Sequence, residues 1–184
     1  MKRFMRIGVT VFLALALTGL GDAGQQPRLQ DQTGARFTFA SLRGVPLVVT
    51  FVAAHCRDAC PLVNAQFAMA QREIAAQRLR VVLLTITLDP AHDSPATMRR
   101  LARTFGADPR YWKVASGSVG DVRSVMQAFG VVAQPGRDGY AEAHTTFVYF
   151  IDAHGVLRKT ILASYDLGTQ LVEQLHQNWR ALAS

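Results

Sequence analysis

Cysteine is nearly absent. Two residues, Cys56 and Cys60, are the only thiols in 184 positions. That excludes a four-cysteine zinc site and an iron–sulfur cluster held by this chain alone. It also leaves no second pair for a stabilising disulfide framework. No cysteine lies near position 20, which excludes a lipid-modified cysteine anchor there. No block of basic residues is interleaved with aromatics, so nucleic acid is not expected as a partner. No repeat and no long low-complexity linker interrupts the chain. Apolar residues make up 49% and charged residues 18%, so disorder is excluded and one globular domain with a sizeable core is expected.

The only long apolar run is at the start. Lys2, Arg3 and Arg6 precede Ile7–Leu20, and Gly21-Asp22-Ala23 follows with a small-x-small pattern. The run is shorter than the roughly 20 residues a bilayer span requires. Residues 1–23 therefore read as an export signal or a short membrane anchor, and 24–184 as the folded domain. The expected location is exported and periplasmic, with an uncleaved segment as the route to inner-membrane attachment. Removing Lys2, Arg3, Arg6 and Asp22 lowers the formal charge from +7 to +5. The remaining positive charge is dispersed. Outside the cytoplasm, a thiol pair tends towards disulfide unless a reductant or a metal intervenes.

Periodicity predicts the order of elements. Leu29–Phe39 reads as a hairpin around Asp31-Gln32-Thr33-Gly34. Val45–Ala53 is an apolar run rich in β-branched residues, the pattern of a strand buried on both faces. A helix follows with Pro61 in its first turn and Val63, Phe67, Ala70 and Ile74 on one stripe. Arg80–Leu88 is a second buried strand. Ser94-Pro95 opens a helix that turns Met98, Leu101, Ala102 and Phe105 inward. Tyr111–Ala115 is a short strand, and 118–129 a helix with Val122, Val125, Met126 and Phe129 apolar. Thr145–Ile151 and Val156–Ala163 form an antiparallel pair around Asp152-Ala153-His154-Gly155. Gly168–Leu182 is a last helix packing Leu171, Leu175, Trp179 and Leu182. An early βαβ followed by a late ββα predicts an α/β fold, a thioredoxin-like three-layer sandwich with an N-terminal β-hairpin extension.

Cys56 and Cys60 then lie between the first central strand and its helix. A helix N-terminus favours thiolate. Three chemistries are open to such a pair. A purely structural bridge gains little from so short a loop and needs Cβ atoms about 3.8 Å apart. A redox dithiol is the second. Three residues separate the cysteines, where thioredoxin-type enzymes have two. The third is a soft metal. Two thiolates completed by a histidine suit monovalent copper better than zinc, which closes structural sites with four ligands. His144 is the candidate third donor, because it precedes the strand expected beside the one feeding the cysteine loop. No proline stands there, as it does in thioredoxin-type oxidoreductases. His55 is expected to turn away and tune Cys56. His92, His154 and His176 are expected as ordinary surface residues, and Asp58 as a local cap or support for the loop.

Three segments carry a family resemblance. Thr50-Phe51 through Cys56-Arg57-Asp58-Ala59-Cys60-Pro61 resembles the Thr-His-Cys-Pro-Asp-Val-Cys-Pro signature of the Sco/SenC copper chaperones. Asp89-Pro90-Ala91-His92-Asp93-Ser94-Pro95 resembles their Asp-Pro-x-x-Asp-Thr-Pro segment. Tyr140-Ala141-Glu142-Ala143-His144, with the strand after it, resembles their Tyr-x-x-x-His. The resemblance implies a thioredoxin-like fold holding one copper ion per chain through Cys56, Cys60 and His144. It implies a role in assembling the dinuclear copper site of cytochrome c oxidase. The implied partners are the oxidase subunit that carries that site, a thioredoxin-like reductant and a copper donor. Arg57 replaces the usual proline and puts a fixed cation beside the thiols. Ala53-Ala54 also departs from the usual residues. The alternative is an exported thiol–disulfide reductase in which Cys56 attacks and Cys60 resolves. A peroxiredoxin fits less well, since the thiols are too close and no proline-threonine context precedes Cys56.

Overall fold

The computed structural model describes residues 26–56, 59–136, 139–142, 147–163, 170–174 and 177. The expected leader, Arg57, Asp58, His144, His176, Leu175, Trp179 and Leu182 lie outside these. Among the described residues no helix is long and apolar enough to cross a membrane.

The apolar runs form the centre of the sheet. β3 (Leu47–Val52) is buried at all six positions, and β4 (Val82–Thr87) pairs with it in parallel from Leu47↔Val82 to Val52↔Thr87. Strands covered on both faces have no solvated side, so neither shows polar alternation. β5 (Trp112–Gly117) extends the sheet in parallel beyond β4. On the other side, β8 (Phe147–Ile151) runs antiparallel to β3 and β9 (Leu157–Leu162) antiparallel to β8. The expected hairpin is present as β1 (Leu29–Gln30) and β2 (Arg36–Phe37), and it joins the edge of β5. The strand order is β2-β1-β5-β4-β3-β8-β9. A second small pair, β6 (Gln134–Pro135) with β7 (Ala141–Glu142), adds to the predicted elements. Each strand there has only two residues, too few to set a period.

Helices cover both faces. α1 (Ala59–Gln77) and α2 (Pro95–Phe105) pack on one side with Val48, Val52, Leu83 and Trp112. α3 (Val119–Ala128) packs on the other with Val49, Phe51, Leu84 and Ile86. This is the expected thioredoxin-like, three-layer arrangement. The stripe on α1 is as predicted, with Val63, Phe67, Ala70 and Ile74 all fully buried. The helix begins earlier than expected, so Cys60 belongs to its first turn, and Pro61 falls where a missing N–H leaves no intrahelical bond unmade. Ser94 caps α2 by accepting the Thr97 N–H at 3.2 Å, and Ser118 caps α3 through the Asp121 N–H at 3.1 Å. Of the last helix, 170–174 and 177 are described as helical, and Leu171 is fully buried against the α1 side.

The β8–β9 turn is held by one carboxylate. Asp152 is buried; its Oδ1 accepts the His154 and Val156 N–H groups at 2.9 and 2.8 Å, and Oδ2 accepts Arg158 Nε at 2.6 Å. Burial alone pushes this carboxyl up. The backbone bond at Val156 and the Arg158 guanidinium outweigh it, and the net direction is down. A carboxyl lower in the folded state than in the unfolded chain stabilises the fold above the ordinary carboxylate range, and that stability is lost as pH falls through the lowered value. Asp152→Asn is therefore expected to destabilise at neutral pH by about 1–3 kcal/mol. The deficit against wild type should shrink towards pH 2, as followed by thermal melts between pH 2 and 7. A constant deficit across that range would rule the carboxylate out as its source.

Candidate metal and thiol site

The parallel strands β3 and β4 end together, at Val52 and Thr87. The C-terminal edge of such a pair is where a parallel sheet exposes a site. After β3 the chain turns at Ala54-His55, with the Cys56 N–H donating to Ala53 O at 3.2 Å. Cys56 is half-buried and Cys60 is 6% exposed; both are free thiols. Burial pushes the Cys60 thiol strongly up, and a hydrogen bond with Cys56 pushes the same way, against a weaker opposing bond from the Ala53 backbone. The helix start does not win here, because desolvation of a buried thiolate outweighs a dipole that acts only within one turn. The two thiols are in contact.

A second loop supports the first. Asp93 is 2% exposed. Its Oδ2 accepts the Ala54 N–H at 2.9 Å and the Thr87 hydroxyl at 2.8 Å, while its backbone carbonyl accepts the Ser116 hydroxyl at 2.8 Å. Burial raises its pKa, opposed by the Ala54 and Thr87 bonds, with Asp89 raising it further and His55 lowering it. Asp89, also buried, accepts His92 Nδ1 at 2.9 Å and lies 3.9 Å from His55 Nδ1. The His55 Nδ1 is buried and makes no hydrogen bond. The Tyr140 ring packs against both imidazoles, at 4.3 Å from His55 and 4.5 Å from His92 between centroids.

These contacts refine one expectation. His92 is exposed at the surface, as expected, but its ring is bound to Asp89 and packed against Tyr140. The resemblance marked its segment, but a loop histidine carries no sequence signal of what it will stack on. His55 is turned to Asp89 and Tyr140. Asp93 could have been found from Asp-Ser-Pro, a polar cluster before a helix start, although that pattern suggests a cap and not an anchor for a distant loop. Asn64, one turn after Cys60 and fully buried, carries no sequence signal of its place in the site.

His144 itself lies outside the described residues. Its flanks do not. Tyr140, four residues earlier, is docked on His55, next to Cys56. Phe147, three residues later, offers its carbonyl to the Thr50 hydroxyl at 3.0 Å. Thr50 pairs with Val148 across β3 and β8, as expected for strands that bring a distant segment to the cysteine loop. Among the described residues, no group of three or more metal-ligating side chains is assembled. What is present is two soft donors in contact, a chemistry suited to monovalent copper or to dithiol exchange.

The difference in burial between the thiols is testable. In reduced, metal-free protein at neutral pH, iodoacetamide should modify Cys56 at least about tenfold faster than Cys60, as followed by peptide mass spectrometry. Equal rates would show that burial does not separate them.

The family model described as SCO1/SenC matches residues 17–180. Mitochondrial protein SCO1 of Saccharomyces cerevisiae is 26% identical over 145 residues, covering 75% of this chain and 48% of its own length. The chain thus spans about half the length of that relative. The SCO1 protein homolog of Bacillus subtilis (strain 168) is 20% identical over 132 residues, covering 71% of this chain and 68% of its own. Among solved structures, Bradyrhizobium japonicum ScoI with copper bound is similar with a TM-score of 0.67 and 28% identity, over 80% of this chain and 95% of that one. The yeast Sco1 structure with copper bound matches in fold, with a TM-score of 0.65 at 24% identity over 84% and 91%. With a family match over most of its length and a fold shared with these proteins, the chain belongs to the SCO1/SenC family.

Proposed function

We propose that this protein is an exported copper-binding chaperone. It holds one monovalent copper ion through Cys56, Cys60 and His144, and delivers it to the dinuclear copper site of a cytochrome c oxidase. The observation that carries this reading is the pair of free thiols in contact at the end of β3, in a chain similar to a ScoI solved with copper bound. Soft thiolates with one imidazole suit a low-coordinate monovalent ion. Support for His144 comes from its flanks: Tyr140 is held against His55 in the cysteine loop, and Phe147 against Thr50 in β3, the strand that feeds that loop. The periplasm is the location this reading requires, and the leader is its warrant. A thioredoxin-like reductant keeps the thiols reduced, and a copper donor loads them.

Binding must displace the Cys60 proton that burial retains, so affinity rises with pH. The Asp93 anchor acts before any metal arrives, by fixing the Ala54 N–H and with it the turn that leads to Cys56.

A second reading is favoured by the unequal burial of the thiols. A half-exposed Cys56 and a buried, protonated Cys60 match the attacking and resolving partners of a thiol–disulfide reductase. Copper titration separates the two. Reduced protein competed against a chromophoric monovalent-copper chelator is expected to take one ion per chain. Cys56→Ser should abolish that binding, and His144→Ala should weaken it at least about tenfold, or roughly 1.4 kcal/mol. Unchanged affinity in His144→Ala would overturn the three-ligand site. Copper-independent reduction of a partner disulfide, indifferent to His144→Ala, would favour the reductase.

A further inference from the structure

Beside the thiols, α1 and α2 enclose a cleft of about 490 Å³. Its α2 wall carries Thr97, Arg100, Leu101 and Thr104, the i, i+3, i+4, i+7 positions of one helical stripe. Seven residues of helix span about 10 Å, the length of about three residues of extended chain. Cys56, Cys60 and Asn64 form the other wall, so the cleft leads along α2 directly to the sulfur atoms.

Two side chains in this cleft, Asn64 and Arg100, keep donors without acceptors. Asn64 is fully buried. Trp112 Nε1 donates to Thr85 Oγ1 at 3.0 Å, and the Thr85 hydroxyl donates to Asn64 Oδ1 at 3.4 Å. That chain of donors fixes the amide with Nδ2 left over, and Nδ2 has no partner. A buried donor without an acceptor is destabilising unless something supplies one. Arg100 is exposed above it and donates to Thr97 Oγ1 at 3.1 Å. It makes no ion pair among the described residues and keeps further N–H donors. No carboxylate lines the cleft among the described residues, and α2 itself carries three arginines and no acid.

We propose that this cleft docks the client: an extended, acidic segment of a partner protein that carries a cysteine, with a backbone or side-chain oxygen on Asn64 Nδ2, a carboxylate on Arg100 and its thiol at Cys56. The inference rests on the chaperone reading for the identity of the partner. It goes beyond that reading in assigning the face, the polarity and the residues that select the segment. Charge complementarity sets the choice, since an acidic chain meets the Arg100 guanidinium and no carboxylate among the described lining residues, whereas a basic chain sets its own charge against Arg100.

The test uses copper-free, reduced protein and short peptides whose one cysteine is activated as a mixed disulfide with thionitrobenzoate. The Cys56 thiolate attacks the peptide sulfur, a Cys56–peptide disulfide forms, and thionitrobenzoate leaves with the electron pair and is read by its colour. A peptide with glutamates flanking the cysteine should react at least about tenfold faster than its lysine counterpart at low ionic strength. Arg100→Glu should remove or invert that preference, and Asn64→Leu should slow the acidic peptide. Arg123→Glu makes the same charge change on α3, across the sheet, and should retain the preference. Equal rates for the two peptides would overturn the proposal. So would a preference equally reduced by Arg123→Glu, which would assign it to net charge alone. The thionitrobenzoate disulfide of glutathione reacting as fast as the acidic peptide would assign the cleft to a small anionic thiol instead. Because no copper is present, failure here leaves the metal reading intact, and failure of the copper titration leaves these rates to be judged separately.

Discussion

The buried carboxylate of Asp93 holds together the parts that the site depends on. One oxygen accepts from the cysteine loop at Ala54 and from the end of β4 at Thr87, and its backbone carbonyl accepts from β5 at Ser116. The next residue, Ser94, caps α2. Two strands, one loop and one helix are thereby tied at a single residue. A carboxylate this deeply buried is tolerated only because its hydrogen bonds replace those lost from water. Burial still raises its pKa, so its ionised form, and the strength of its grip, is opposed by the same interior that makes the anchor rigid.

From that anchor the rest of the centre follows. Asp89, four residues before, accepts from His92, whose ring packs against Tyr140, as does the ring of His55. Tyr140 thereby joins the end of the β6–β7 pair to the cysteine loop. The thiols sit where these supports converge, one half-exposed and one buried. Metal capture and disulfide exchange draw on the same two sulfur atoms. The choice between them turns on what completes the pair: an imidazole for a soft cation, or a partner sulfur arriving along the cleft.

The sequence made the frame legible where burial dictates composition. β3 and β4 are continuous apolar runs because both faces are covered, and α1 shows its stripe because one face is. The same logic predicts Thr145–Ile151 beside β3, and the part of it that is described, Phe147–Ile151, lies there with Val148 paired to Thr50. Polar contacts across distant segments were not legible. Nothing in the spacing of Asp93 says that its partner is Ala54, 39 residues away, and nothing in Asn64 says that its amide will be half-satisfied. His92 and Tyr140 meet only because two loops converge, and a loop has no period to read. The helix start suggested a lowered thiol pKa at the pair, and the structure reverses this for Cys60, because burial had not been visible at that position.

The central claim is that both sulfur atoms and one imidazole of the same chain surround a single copper ion. X-ray absorption at the copper edge, on reduced protein loaded with one equivalent of monovalent copper, tests it directly. Two sulfur scatterers and one imidazole nitrogen per copper are expected, unchanged on dilution. A sulfur-only shell with more than two scatterers would mean copper shared between chains, and would contradict the claim.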